Sequence, residues 1–346
     1  MPEKIQYHPT SDSLSAHTAP DWFRDAKFGI FIHWGPYSIP AFAPHKTAID
    51  QLDSTDEKQG FANTPYAAWY QNTMLFEDGA TAAYHRETYG DDYSYERFGE
   101  AFNAALEGWD PVSWAQLFRR SGARYVVLVT KHHDGFVLWP SDVENPNKAG
   151  WQATRDVVGE LADAVRAEGL KFGVYYSGGV DWTFKHKRIE SFADFMVSMP
   201  GEAEGYTAYA NAHYDELIER YQPDYLWNDI AYPSAQASFD ILAKYYNTVP
   251  EGLTNDRWIT PDGILPEGAF DKPEGLTGLL PPMPQVWDAR TPEYGMFDRI
   301  LPFQWETTRG MGHSFAYNRN ETDEDYITRD GIAAMLARSA CFNGNV

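Results

Sequence analysis

The 346-residue sequence predicts an α/β protein and, within that class, a (β/α)8-like TIM barrel. Three observations lead there. Short runs too apolar to alternate in polarity recur along the chain, the pattern of parallel strands covered on both faces. Amphipathic helical patterns lie between them, as in a chain that alternates strand with helix. Polar, chemically capable residues fall at the ends of the apolar runs, and in a barrel the loops after the strands form the active face. An open doubly wound sheet has the same alternation. No Gly-x-Gly-x-x-Gly follows the first strand, however, and no Walker-type loop occurs, so its nucleotide-binding versions lose support.

The first strand is read in Lys27-Phe28-Gly29-Ile30-Phe31-Ile32-His33-Trp34-Gly35, the second between Arg124 and Gly135, the third from Leu170 to Ser177 and the fourth from Tyr225 to Asp229. Weaker candidates surround Thr254–Arg257, Arg290–Tyr294 and Phe303–Glu306. Between Asp156 and Gly169, residues Val157, Val158, Leu161 and Val165 share one helical face, and Gly169 suits the position after the helix end. Tyr214, Leu217, Ile218 and Tyr221 repeat that spacing until Pro223 stops it. Further amphipathic stretches cover Phe239–Tyr246 and a segment starting near Tyr326. The chain is read as one domain over 1–346, with insertions at about 42–65 and 259–287. The second holds six prolines and suits a long irregular loop.

Composition bounds the partners. With 28 Lys+Arg against 50 Asp+Glu the formal net charge is −22, so the surface repels phosphates and anionic lipid on average. Neither nucleic acid nor a membrane is expected as a partner. Aromatics make up 16% of the chain, which fills a large core but also suits a pocket for a ligand with apolar and polar faces. Cys341 is the single cysteine and is expected to be a buried small apolar residue. The N-terminal segment has no basic region followed by an apolar run, so the default location is cytoplasmic.

Carboxylates, imidazoles and Trp at barrel strand ends suit hydrolysis of a glycosidic bond. That chemistry needs two carboxyl groups flanking the bond, one ionised and one protonated. Position selects the candidates: Asp229 closes the fourth strand beside Trp227, Glu293 lies in Thr-Pro-Glu-Tyr, and Glu306 in Gln-Trp-Glu-Thr. Adjacent residues leaving a strand tend to point to opposite faces, so His132-His133 is not read as a bidentate metal site. Asp134 and Asp181 sit beside Gly or Trp turns and are read as structural. Arg257 has the bland reading of an ion-pair partner for Asp256 or Asp229.

The segments WFRDAKFGIFIHWGPYSIPA, TKHHDGFVLWPS, KFGVYYSGGVDW, PDYLWNDI, TNDRW, RTPEY and QWETTRGMGHSFAYNRNE, in this order from Trp22 onward, resemble the retaining α-L-fucosidases of glycoside hydrolase family 29. The resemblance implies exo-hydrolysis of a terminal α-L-fucosyl residue of an oligosaccharide or glycoconjugate, without metal or organic cofactor. It implies Asp229 as nucleophile and Glu293 as acid/base, while Glu306 is not given that role. His33, His132, His133, Tyr175 and Arg257 align with residues that bind the sugar hydroxyls. Phe31, Tyr66, Trp227 and Phe315 align with the wall around the 6-deoxy methyl group.

Two departures carry expectations. Where the family has Glu-Trp-Tyr this chain has Ala68-Trp69-Tyr70, which keeps Trp69 at the sugar but removes one acidic ligand. The chain ends at Asn343-Gly344-Asn345-Val346, where family members continue into their last barrel strand and usually a C-terminal β-sandwich. A barrel without that last strand is therefore one expected form. A reading from another class is a catalytically impaired fucose-binding barrel.

Overall fold

A computed structural model describes residues 5–45, 56–258 and 286–346. Five parallel strands form one sheet in chain order: β1 (Gly29–Ile32), β2 (Tyr125–Lys131), β3 (Lys171–Ser177), β4 (Tyr225–Asp229) and β5 (Leu253–Thr254). Three more, β6 (Ala289–Arg290), β7 (Gln304–Glu306) and β8 (Gly344–Asn345), are also parallel and in order. A parallel bridge between Asn255 and Ala289 joins the two groups on one side. On the other, Gly29 N–H donates to the Val346 carbonyl at 2.8 Å and Val346 N–H to the Lys27 carbonyl at 3.0 Å. The eight strands thus close into a barrel, and Gly344–Asn345 supply the last strand, which the sequence left in doubt.

Alternate residues of the strands divide between two cores, as the period of two requires. Tyr125, Val127, Val129, Tyr175, Tyr225, Trp227 and Leu253 fill the barrel interior, and Phe23, from the short helix Asp21–Ala26, packs with them. Val126, Leu128, Phe172, Val174 and Leu226 face outward into the layer shared with the helices. Helix Val157–Ala167 covers that layer with Val157, Val158, Leu161 and Val165, all buried. Asp156 caps it by accepting from Gly159 N–H at 2.9 Å, and Gly169 lies just past its end at φ 73°, the left-handed conformation that glycine adopts without a Cβ penalty.

Several sequence readings change. Helix Tyr206–Glu216 runs on as a π-helical turn, Leu217–Tyr221, and starts eight residues before the stretch read from Tyr214. The last helix begins at Arg329, where Thr328 caps it by accepting from Gly331 N–H at 3.1 Å. Cys341, at its end, is exposed rather than buried, because that turn leaves its side outside both cores. Helices Ala80–Tyr89, Glu96–Ala105 and Pro111–Ser121 fill the connection from β1 to β2 and were not read from the sequence. Of the expected insertions, 46–55 and 259–285 lie outside the described residues. The remainder of the first contains helix Glu57–Ala62, capped by Asp56. Among the described residues no helix is long and apolar enough to cross a membrane.

Candidate active site

A cavity of about 220 Å³ opens at the C-terminal ends of the strands, and all twelve residues singled out for a site role line it. Asp229, the last residue of β4, is 8% exposed. Its Oδ2 accepts from the Tyr175 hydroxyl at 2.6 Å and its Oδ1 from Arg257 Nη1 at 2.7 Å. The same Nη1 lies 2.7 Å from Glu293 Oε1. Glu293 stands nearer the mouth, with a side chain 40% exposed. Arg257 therefore pairs with Asp229, as one bland reading held, but with Glu293 as well and not with Asp256. Burial opposes its charge, yet Glu293, Asp229 and Asp256 together raise its pKa above the ordinary arginine value.

The chain next to these groups is held in unusual backbone. Ile230 and Ala231, directly after Asp229, have φ of 58° and 70°, a region that a β-branched residue rarely enters. Gly178 and Gly179 N–H both donate to the Asp229 carbonyl, at 3.0 and 3.2 Å. Any Cβ at Gly179 would lie 1.6 Å from the Ile230 carbonyl oxygen, so only glycine permits this approach. Asn228 ties the turn together by donating to the Ala231 and Arg257 carbonyls at 2.9 and 2.8 Å. Thr291, which accepts from Arg257 Nε at 3.3 Å, in turn donates its hydroxyl to Asp256 Oδ1 at 2.7 Å. Asp256 is thus an anchor beneath the site.

The histidines are neutral donors and acceptors. Burial lowers the pKa of His33 to about 3 and of His133 to about 4, and holds His132 well below the usual histidine value. Ser177 gives its hydroxyl proton to the Val180 carbonyl at 2.7 Å, so it accepts from His133 Nδ1–H, also at 2.7 Å. That assignment leaves His133 Nε2 as an acceptor. Among the described residues, buried His132 Nδ1 has no hydrogen-bond partner. His132 and His133 both line the cavity, with ring centroids 4.0 Å apart, against the expectation that neighbours diverge. The reason is local: the register shifts between Val129 and Lys131, and the chain leaves strand geometry after Lys131. Among the described residues, the His and carboxylate side chains close enough to share an ion are His45, His313 and Asp325, outside this cavity.

Aromatic rings form the walls. Phe31 meets Trp227 edge-on at 5.2 Å and Tyr175 at 5.6 Å, and Phe315 stacks on His33 at 5.4 Å and touches Tyr66 at 5.2 Å. Phe315 sits in a loop fixed by Glu321, whose Oε1 accepts from His313 and Ser314 N–H at 2.7 and 2.8 Å. Trp69 stands edge-on to His133 at 5.5 Å. Sequence reasoning passed over Phe61, Phe192, Phe195, Ile230 and Thr308, which also line the cavity. Phe61, Phe192 and Phe195 lie on short helices away from the strand ends, and Ile230 and Thr308, just after β4 and β7, carry no group that marks them for catalysis.

Three acids lie elsewhere. Glu306 is buried inside the barrel and accepts from the Tyr125 and Tyr225 hydroxyls and Trp227 Nε1 at 2.6, 3.0 and 3.1 Å. Asp181 pairs with Lys131 at 2.7 Å, both fully buried, and Asp134 accepts from the Tyr95 hydroxyl at 2.8 Å. The last two are structural, as read.

A closed parallel barrel with paired carboxylates among neutral histidines and aromatic walls at its C-terminal face has the architecture of a glycoside hydrolase. Comparison with known proteins narrows the class. The family model described as Alpha-L-fucosidase matches residues 1–346, and the chain belongs to that family. The plasma alpha-L-fucosidase of Homo sapiens is 31% identical over 99% of this chain and 64% of its own length. The tissue alpha-L-fucosidase of Bos taurus is 33% identical over 73% of this chain and 49% of its own. The chain thus spans about half to two thirds of these relatives. Among solved structures, Thermotoga maritima alpha-fucosidase in complex with fucose is 38% identical, with a TM-score of 0.80, over 98% of this chain and 70% of that one. A Thermotoga maritima alpha-L-fucosynthase in complex with alpha-L-Fuc-(1-2)-beta-L-Fuc-N3 is 39% identical, with a TM-score of 0.83, over 99% and 71%.

Proposed function

We propose that this protein hydrolyses terminal α-L-fucosyl residues of oligosaccharides or glycoconjugates with retention of configuration. Asp229 attacks the anomeric carbon while Glu293 gives its proton to the leaving oxygen, breaking the glycosidic bond. Glu293 then takes a proton from the water that displaces Asp229 and releases fucose. The observation that carries this reading is the nitrogen shared by Asp229 and Glu293. Two contacts of 2.7 Å to Arg257 Nη1 hold the two carboxylate oxygens no more than about 5.4 Å apart. Double displacement needs carboxyl groups roughly 5–5.5 Å apart, whereas inversion needs room for a water between them.

The pocket supports fucose as the sugar. His133 Nε2 accepts from one hydroxyl, and His132 Nδ1, buried with no partner among the described residues, gains one. Phe31, Tyr66, Trp227 and Phe315 surround the methyl group. Galactose would bury an extra hydroxyl against them unpaired, at a cost of about 1–3 kcal/mol. Incubation with an aryl α-L-fucoside, followed by NMR, tests the proposal: α-fucose is the first anomer expected. β-Fucose first contradicts retention. In Asp229→Ala, turnover is expected to vanish while fucose binding by calorimetry persists. Fucose binding with no turnover in the unaltered protein would favour the binding-protein reading.

A further inference from the structure

We propose that Phe61, Trp69 and Phe195 form a stacking platform for the leaving group, one that selects aglycones with a flat apolar face: an aryl ring or the C–H face of a pyranose. The inference rests on the fucosidase reading above and extends it to the other side of the scissile bond.

The pocket is blind. Tyr125, Tyr225 and Glu306 fill the barrel beneath it, so a sugar seated against Asp229 can extend its leaving group only through the mouth. Glu293 and Thr308 line the cavity, and so do Phe61, Trp69, Phe192, Phe195 and Ile230, of which Phe61, Trp69, Phe195 and Ile230 pack on one common apolar cluster. The aromatic members are continuous with the sugar site. Trp69 meets His133 edge-on at 5.5 Å, Phe195 stacks on Trp69 at 6.1 Å and 26°, and Phe61 tilts against Trp69 at 6.1 Å. Phe195 belongs to helix Phe192–Val197, which has no buried residue, so its ring stays partly open.

The platform is also held in place before anything binds. Phe192 N–H donates to Glu57 Oε2 at 2.9 Å, linking helix Phe192–Val197 to helix Glu57–Ala62, which carries Phe61. Asn72 secures the approach by exchanging hydrogen bonds with Ile189 N–H and carbonyl at 2.8 and 3.1 Å. Beneath the rings lies a separate cluster of Val180, Trp182, Ile189 and Met199. Fixed aromatic faces, of which only Trp69 carries a polar N–H, reward apolar area more than a particular hydroxyl pattern.

The test compares leaving groups that reach the platform with one that cannot. With 4-nitrophenyl α-L-fucoside, Phe195→Ala and Phe61→Ala are each expected to lose about 5- to 10-fold in kcat/KM, mostly through KM. With α-L-fucosyl fluoride, whose leaving atom ends short of the lip, both variants should stay within twofold of the parent, which also shows that they fold. Equal losses on both substrates, or no loss on either, overturn the platform. Calorimetry with the non-hydrolysed 4-nitrophenyl α-L-thiofucoside keeps the two proposals apart. The parent should bind it about 10-fold tighter than L-fucose, and Phe195→Ala should close that gap even if turnover is absent. A gap that survives in Phe195→Ala sinks the platform, whatever becomes of the fucosidase reading.

Discussion

Asp229 and Glu293 each hold a carboxylate oxygen 2.7 Å from one nitrogen, Nη1 of Arg257, although one closes β4 and the other follows β6. A single planar group thereby sets the spacing of the two acids. Arg257 reaches this position because Nη2 also donates to the Thr291 carbonyl at 3.1 Å and its guanidinium lies over Trp227 at 4.6 Å. The acids are spaced through a chain of fixed contacts, and each link can be broken separately.

Arg257→Lys is the first. Lysine keeps the charge but has no planar fork, so it cannot meet both carboxylates and Thr291 at once. A loss of about 100-fold or more in kcat/KM on an aryl fucoside is expected, because misplacement by about 1 Å costs on that order. Steady-state kinetics within threefold of the parent would show that charge alone suffices.

Tyr175→Phe separates orientation of Asp229 from packing. The hydroxyl donates to Oδ2 at 2.6 Å, while the ring stacks on Trp227 at 5.4 Å and 24°, and phenylalanine keeps only the second contact. A hydrogen bond to a charged group contributes roughly 1.5–3 kcal/mol, so kcat should fall about 10- to 100-fold with KM little changed. A change in KM alone would place the hydroxyl on the sugar and not on the nucleophile.

Glu306→Ala should act on stability. Burial pushes the Glu306 carboxyl above its usual range, against the three donors that face it. Removing the acceptor leaves two tyrosine hydroxyls and the Trp227 Nε1–H buried and unpaired, at about 3 kcal/mol or more. Glu306→Gln retains an acceptor and should cost less. Chemical denaturation of both variants checks the order, and equal costs would mean that the donors need both carboxylate oxygens and that one amide oxygen does not serve them.

The strands read most closely from the sequence, β2, β3 and β4, are almost wholly buried, while β1, also read, is half-buried. Tyr225–Asp229 matches its reading residue for residue, and β2 and β3 differ from theirs only at the ends. Strands β5, β6 and β8 have two residues each, too short for any period; β5 and β6 overlap the weaker candidates near 254 and 290, and β8 is defined only by closure against its neighbours. The site was legible where strand ends and motif resemblance coincided, as at His33, Asp229 and Arg257. It was illegible at Phe61 and Phe195, because an aromatic on a short helix reads as core until the cavity beside it is visible. The shared contact at Arg257 was hidden for another reason: 36 residues separate it from Glu293, and no local pattern spans that distance.

The pocket histidines tie stability to pH, and His133 allows the sign to be tested. Its folded pKa is about 4, lowered by burial first, with Asp229 and Asp181 acting to raise it and Lys131 to lower it. Unfolded, it titrates near 6.5. Above that value neither state holds the proton, and stability is full. As pH falls from about 6.5 toward 4, only the unfolded chain takes up the proton, so stability is lost across that window, by about 2 kcal/mol at pH 5 for this residue. Asp134, raised to about 6 by burial, works the other way, and His33 adds to the loss, but both effects are common to a variant at position 133. His133→Gln binds no proton in either state. Its deficit against the parent at pH 7.5 should therefore shrink by about 2 kcal/mol at pH 5 in denaturant titrations. A deficit that stays constant between the two would mean that folded His133 protonates at an ordinary pH, and that Nε2 does not face the sugar as a neutral acceptor.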